Sequence, residues 1–162
     1  MATRILGIDP GSRVTGYALI EVSGSELRVL GHDVIKPLAR SAFSDKILFV
    51  ADRLGGLIDL YAPQEAAVED LFHAVNARAS LQLAHLRGGI LLELARKRVE
   101  LSTYAPTAVK KALTGVGSAG KEQVRFMVER ILGLKLGRGP NDVSDALAVA
   151  VCHAHTRRGF KR

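Results

Sequence analysis

Little in this chain invites covalent cross-linking or aromatic stacking: it has one cysteine, no tryptophan, five phenylalanines and three tyrosines. Cys152 lies inside the apolar run "DALAVAVC" and has no partner for an intrachain disulfide, so a buried core thiol is expected rather than a reactive one. So few rings argue against a broad stacking platform for single strands. No apolar run approaches the roughly 20 residues of a membrane span. Residues Met1 to Pro10 also lack the charged, apolar, small-residue progression of a signal peptide. A cytoplasmic protein with no membrane partner is expected. Internal repeats and low-complexity segments are absent as well.

Acids are outnumbered, 16 against 23 lysines and arginines, which leaves a formal charge of +7 and a pI near 9.9. The excess collects in clusters such as Arg96-Lys97-Arg98, Lys110-Lys111 and the tail Arg157, Arg158, Lys161 and Arg162. A polyanionic partner follows, with nucleic acid first and an anionic membrane surface second. The plain alternative for any one cluster is a solvated surface.

What is present reads as one domain over residues 1–162, ending in a basic tail from about residue 157. Residues 3–9, 14–22 and 26–35 are short, rich in β-branched residues and separated by "PGSR" and "SGSE", the pattern of three strands joined by hairpins. Phe43, Ile47, Val50, Leu54, Leu57, Ile58 and Tyr61 then recur at helical spacing until Pro63. "EAAVED" (65–70) reads as a fourth strand. Residues 77–98 form a helix with Leu83, Leu86, Ile90 and Leu94 on one side and Leu81, Ala84, Leu91 and Ala95 on another. Gly88-Gly89 would allow close approach. Such a helix needs cover on both sides, from its own sheet and either a second subunit or another layer of the monomer. "VELSTYAP" is a fifth strand, "TAVKKALTG" and "KEQVRFMVERILG" are helices, and "NDVSDALAVAVCHAHTRR" is the last, with Asn141 as its expected cap. The order is βββαβαβααα, an α/β fold with a five-stranded mixed sheet flanked by helices.

Four acids stand where acids are costly. Asp9 ends the first strand, Glu69 ends the fourth, and Asp142 and Asp145 open an otherwise apolar helix. Residues three apart on a helix share a face, so the last two point the same way. If strands one and four are neighbours, all four carboxylates converge. Converging carboxylates raise one another's pKa unless cations neutralise them. Oxygen donors with few histidines suit Mg²⁺ or Mn²⁺ better than zinc. Two such ions about 4 Å apart would activate water for in-line attack on a phosphodiester and stabilise the leaving oxygen. Taken singly, Asp9 is equally a turn former before Pro-Gly, Glu69 a polar strand end and Asp142 a helix-start acid.

The stretches "ILGIDPGSRVTGYA", "VEDLF", "PTAVKKALTGVGSAGKEQV" and "NDVSDALAVAV" resemble, in order and spacing over essentially the whole chain, the RuvC family of resolvases that cut four-way (Holliday) DNA junctions. The resemblance implies an RNase H-like fold and a homodimer with two active sites. It also implies metal-dependent, symmetrical nicking of two like strands to leave 5′-phosphate and 3′-hydroxyl ends in recombination and repair. The family's catalytic and metal-binding acids fall on Asp9, Glu69, Asp142 and Asp145, its junction-engaging aromatic on Phe72, and its DNA-facing basic residues on Lys110 and Lys121. A cooperating branch-migration complex of RuvA and RuvB is implied too. Where "DAADALA" is commoner in the family, this chain reads "NDVSDALA", with Val143 and Ser144 replacing two alanines while both acids remain. On physical grounds Phe72 is either a wedge against an unstacked base or an anchor in the core.

Two motifs are decoys. "GVGSAGKE" fits the first seven positions of a phosphate-binding P-loop, but Glu122 stands where a Ser or Thr would hold Mg²⁺, and the preceding segment reads as helix rather than strand. Glycines and a lysine opening a helix can instead meet a DNA phosphate. "HAH" (153–155) places its histidines on different sides of a helix and reads as surface or internally satisfied. Rival readings are a non-catalytic DNA-binding module, which has little use for four acids, and an ATPase-like lobe, which needs a second lobe that 162 residues do not supply.

Overall fold

The computed structural model describes residues 2–71, 76–137 and 141–157. Three strands open the chain: β1 (Thr3–Asp9), β2 (Thr15–Ser23) and β3 (Glu26–Ile35). They are followed by α1 (Phe43–Tyr61), β4 (Glu65–Glu69), α2 (Ala77–Arg96), β5 (Glu100–Tyr104), α3 (Pro106–Thr114), α4 (Lys121–Leu132) and α5 (Asn141–Thr156). The βββαβαβααα order is the expected one. Ends shift by a residue or two. Helix α2 stops at Arg96 because Arg98 turns left-handed, with φ 57°. Helix α1 stops at Ala62, left-handed with φ 46°, whose N–H bonds back to Ile58 just before Pro63.

The strands lie in the order β3-β2-β1-β4-β5. β1 is antiparallel to β2, β2 to β3, while β4 runs parallel to both β1 and β5. β1 is thus central and buried on both faces, which explains its unbroken "ILGI". Alternate residues of a strand point to opposite faces. Leu6 and Ile8 join Val50, Leu54, Leu86, Ile90 and Leu94 of α1 and α2 on one face. Ile5 joins Ala67, Val109, Leu113, Val124 and nearly all of α5 on the other. By the same alternation Asp9 and Glu69 face α5, on the sides of β1 and β4 that carry Ile5 and Ala67.

Two glycines set how closely α5 approaches that face. A Cβ at Gly7 would stand 2.3 Å from the Ala146 carbonyl oxygen, and one at Gly16 would stand 2.0 Å from that of Asp142. Only a bare backbone admits the helix there. Of the pair expected to bring α2 close to a neighbour, Gly89 does so, against Ile47 of α1, whereas Gly88 faces open space. Cys152 is buried as expected, and burial pushes its thiol up to about 11. Among the described residues, no helix is long and apolar enough to cross a membrane.

One other expectation changes. Asn141 is the first residue of α5 rather than a cap ahead of it. The Arg96-Lys97 cluster stays at the surface, the Arg96 side chain 72% exposed, with Arg96 3.4 Å from Glu93 and Lys97 2.7 Å from Asp59. Arg157, the first residue of the expected basic tail, is held by Glu65 at 2.5 Å and by Thr3 at 3.1 Å.

Candidate active site

β1 and β4 pair in parallel from Ile5–Glu65 to Ile8–Val68, so Asp9 and Glu69 follow side by side at one end of the sheet. Their carboxyl groups hydrogen-bond to each other. Two carboxylates share such a bond only with a proton between them. Burial is the chief reason that proton stays, with Glu69, Asp145 and Asp142 adding repulsion, and the Asp9 carboxyl is pushed up to about 8. Glu69 and Asp145 are likewise raised, chiefly by burial, with Lys121 and Lys110 opposing the shift. The four acids singled out from sequence therefore feel one another, as converging carboxylates must.

Cations stand over them. Lys121, at the start of α4, puts Nζ 3.5 Å from Asp145 Oδ2. A pocket of about 170 Å³ is lined by Glu69, Lys110, Lys121 and Asp145, with Pro106, Val109, Val124 and Ala148 as its apolar wall. The segment before Gly115 is helix α3, so the P-loop reading fails here on structure as well as sequence. Phe72 lies outside the described residues.

One supporting residue has no sequence signal beyond being an arginine in an apolar helix. Arg87 of α2 reaches back to the end of β4, where Nε donates to the Glu69 carbonyl oxygen at 3.3 Å and Nη2 lies 3.3 Å from Asp70 Oδ1. Its side chain is only 15% exposed, and it fixes the chain at the point where Glu69 leaves the sheet. The distant "HAH" histidine is internally satisfied: His153 Nε2 lies 2.7 Å from Glu65 Oε2 and Nδ1 lies 2.7 Å from the Tyr104 hydroxyl.

A family model described as "Crossover junction endodeoxyribonuclease RuvC" matches residues 5–153. The chain belongs to the RuvC family of crossover junction endodeoxyribonucleases. The RuvC enzyme of Caulobacter vibrioides is 40% identical over 162 residues, covering 100% of this chain and 95% of that one. That of Helicobacter pylori strain G27 is 43% identical over 151 residues, covering 93% and 96%. RuvC of T. thermophilus, solved in complex with a Holliday junction substrate, superposes with a TM-score of 0.88 at 31% identity, covering 94% of this chain and 93% of that one. A yeast mitochondrial Holliday junction resolvase shares the fold at a TM-score of 0.68 and 15% identity, covering 93% and 78%. The RNase H-like architecture expected of a RuvC protein is the one observed.

RuvC nucleases are in general metal-dependent, and the donor set here fits a hard divalent cation. It offers carboxylate oxygens, whose mutual repulsion is offset by a held proton and by Lys121. As oriented, no three Asp, Glu, His or Cys side chains among the described residues are grouped closely enough to hold one ion. Ligation therefore requires the shared proton to leave and the side chains to turn toward the cation.

Proposed function

We propose that the protein resolves four-way DNA junctions in recombination and repair, by symmetrical nicking of two like strands that leaves 5′-phosphate and 3′-hydroxyl ends. The observation that carries this reading is the bonded pair Asp9 and Glu69 at adjacent strand ends, facing Asp145 and roofed by Lys121. Binding and cutting need opposite charges, and the pocket supplies both within one space. The relatives' shared name and the junction bound to the T. thermophilus enzyme favour a four-way junction as substrate.

Asp9, Glu69, Asp142 and Asp145 would hold Mg²⁺ or Mn²⁺, two ions per site, which when bound supply an activated water and charge stabilisation for the leaving oxygen. Lys110 and Lys121 attract the phosphodiester and hold it over the acids. Their charge also lowers the cost of placing an anionic phosphate beside four carboxylates. Arg87 keeps Glu69 in register with Asp9. Phe72 follows Glu69 closely enough in sequence to meet a base beside the cut phosphate.

Paired nicking calls for two sites, hence a homodimer. Helix α2 turns Leu81, Ala84, Gly88, Leu92 and Ala95 outward, with Leu81 58% and Leu92 62% exposed. An apolar stripe of this kind suits a second copy. The enzyme would work in the cytoplasm, with the RuvA and RuvB branch-migration complex presenting the junction.

Labelled four-way junction and linear duplex of the same sequence, each incubated in Mg²⁺, Mn²⁺ and EDTA, test the reading. Paired cuts confined to the junction and abolished by EDTA are expected. Equal cutting of both substrates would defeat it.

A further inference from the structure

A second cationic groove lies at the active-site end of the sheet, built in part from α1, which packs on the other face of the sheet from α3 and α4. Its walls are Ser12 and Arg13 from the turn after β1, Lys36, Pro37 and Ala39 from the turn after β3, and Lys46 of α1, enclosing about 430 Å³. Three of these six residues are cationic and none is acidic. Sheet register explains the meeting: Thr15 pairs with Ile35, so the residues just before β2 and just after β3 emerge together.

The groove is built rather than incidental. Pro37 is buried, and Lys46 Nζ donates to the Ala39 carbonyl oxygen at 2.8 Å, tying the second turn to α1. Arg13 and Lys36 remain exposed. The acids nearest in sequence do not line it: Asp33 accepts from the Val34 N–H at 2.8 Å, and Asp45 accepts from Ser44 Oγ at 3.5 Å.

Arg13 is four residues beyond Asp9, and β3 stands two strands from β1. At about 4.8 Å per strand the end of β3, which leads into Lys36, stands about 10 Å across the sheet from the end of β1. Cations thus meet the acids from two directions, Lys110 and Lys121 lining their pocket from α3 and α4, and Arg13 and Lys36 standing in the turns after β1 and β3.

We propose that the Arg13–Lys36 groove binds DNA backbone phosphates neighbouring the one cleaved, so that the strand runs from the acidic pocket to the groove. This rests on the junction-cleaving function proposed above. Lys46 acts as a strut for the turn, and Arg13 and Lys36 make the phosphate contacts.

The test measures binding of a labelled four-way junction in EDTA across a salt series, for the wild-type protein, Arg13→Gln, Lys36→Gln and the double variant. Each lost phosphate contact should reduce the slope of log affinity against log salt by about 0.9, and the double variant should bind about tenfold more weakly at moderate salt. Arg28→Gln, which removes the same charge from the opposite end of β3, should leave the slope as in the wild type. A double variant that melts like the wild type yet keeps its slope overturns the groove. If Arg13→Gln fails to fold, Lys36→Gln alone decides, because its side chain is exposed and an unchanged slope then counts against the proposal. Equal slope losses in Arg28→Gln also overturn it, since they would reflect net charge alone. Wild-type protein that neither binds nor cuts junctions would instead remove the functional reading on which the groove rests.

Discussion

Asp9 and Glu69 hydrogen-bond carboxyl to carboxyl across the parallel β1–β4 pair, so the metal-free protein carries a proton that its unfolded chain releases. The Asp9 carboxyl sits at about 8 in the fold against 3.8 as its ordinary value. Between those pH values the folded state binds more protons than the unfolded one, so stability should fall as pH rises. Asp9→Asn keeps a neutral group able to donate to Glu69. Thermal melts in EDTA should therefore show the variant overtaking the wild type as pH climbs to about 8, by on the order of 1 kcal/mol or about 2–4 °C. The same variant should bind junctions at least as well as the wild type and cut none, because removing negative charge favours phosphate. Parallel melting curves at all pH values would show that the proton is not held there.

Gly16 lets the first turn of α5 sit against β2. An alanine methyl at this position would meet the Asp142 carbonyl oxygen at 2.0 Å, a backbone atom that cannot swing aside. Gly16→Ala should cost about 1–3 kcal/mol of stability. Displacing Asp142 and Asp145 by about 1 Å should slow cleavage about 100-fold. Gly56→Ala, where the added methyl meets open space within α1, provides the contrast and should be stable and active. A folded Gly16→Ala protein with wild-type cleavage would show that the α5 acids tolerate the shift.

The fold was legible because its signals are local. Period-two runs joined by Gly/Ser turns announced β1 to β3, and helical spacing up to Pro63 bounded α1. The four acids were legible because a carboxylate ending an apolar strand is energetically conspicuous. Their convergence was conditional on β1 neighbouring β4, a long-range pairing that no local pattern encodes. Gly7 and Gly16 looked like ordinary strand residues, since a glycine's purpose is set by what approaches it. Arg87, Glu65 and Arg157 were invisible for the same reason: an ion pair spanning 92 residues leaves no mark on the spacing of either partner. The Arg96-Lys97 cluster was legible as surface charge, but its partners Glu93 and Asp59 were not, because spacing along the chain does not say which acid a cation meets.

Lys121 lies 3.5 Å from Asp145 yet its side chain is 71% exposed, so the ion pair adds little to stability and leaves the ammonium free to meet phosphate. Lys121→Ala should melt within about 0.5 kcal/mol of the wild type. Its binding to junctions should weaken and the salt slope drop by about one. An unchanged slope would mean that Lys121 serves the acids only.

Arg87 touches no reacting atom and is a positioning residue. Removing it frees the Glu69 carbonyl oxygen and the Asp70 carboxylate at the end of β4. Arg87→Ala should raise the Mg²⁺ concentration for half-maximal cleavage about 10–100-fold, the usual effect of losing support behind a metal ligand. Arg87→Lys restores charge but not the fork that reaches both acceptors, so it should recover only part of that loss. Junction affinity in EDTA should change less than the metal requirement. A purely structural role would instead lower stability and leave the Mg²⁺ midpoint where it was.

Glu65 works in the opposite pH direction from Asp9. Hydrogen bonds from Arg157, aided by His153, hold its carboxyl below the ordinary value of 4.5 against the opposing effect of burial. A depressed carboxyl stabilises the fold above its unfolded pKa, and that contribution is lost as pH falls through the folded value. Arg157 and His153 lie on the last turns of α5 and just beyond it, while Glu65 starts β4, so the cluster pins the helix at the end away from the acids. Glu65→Gln should cost about 2–3 kcal/mol at neutral pH, since it leaves Arg157 without its carboxylate in a largely buried setting. The difference from the wild type should shrink in acid below about pH 4, as the wild-type carboxyl takes up its own proton. A difference that stays constant into acid would mean that shape, not charge, holds α5 at this end.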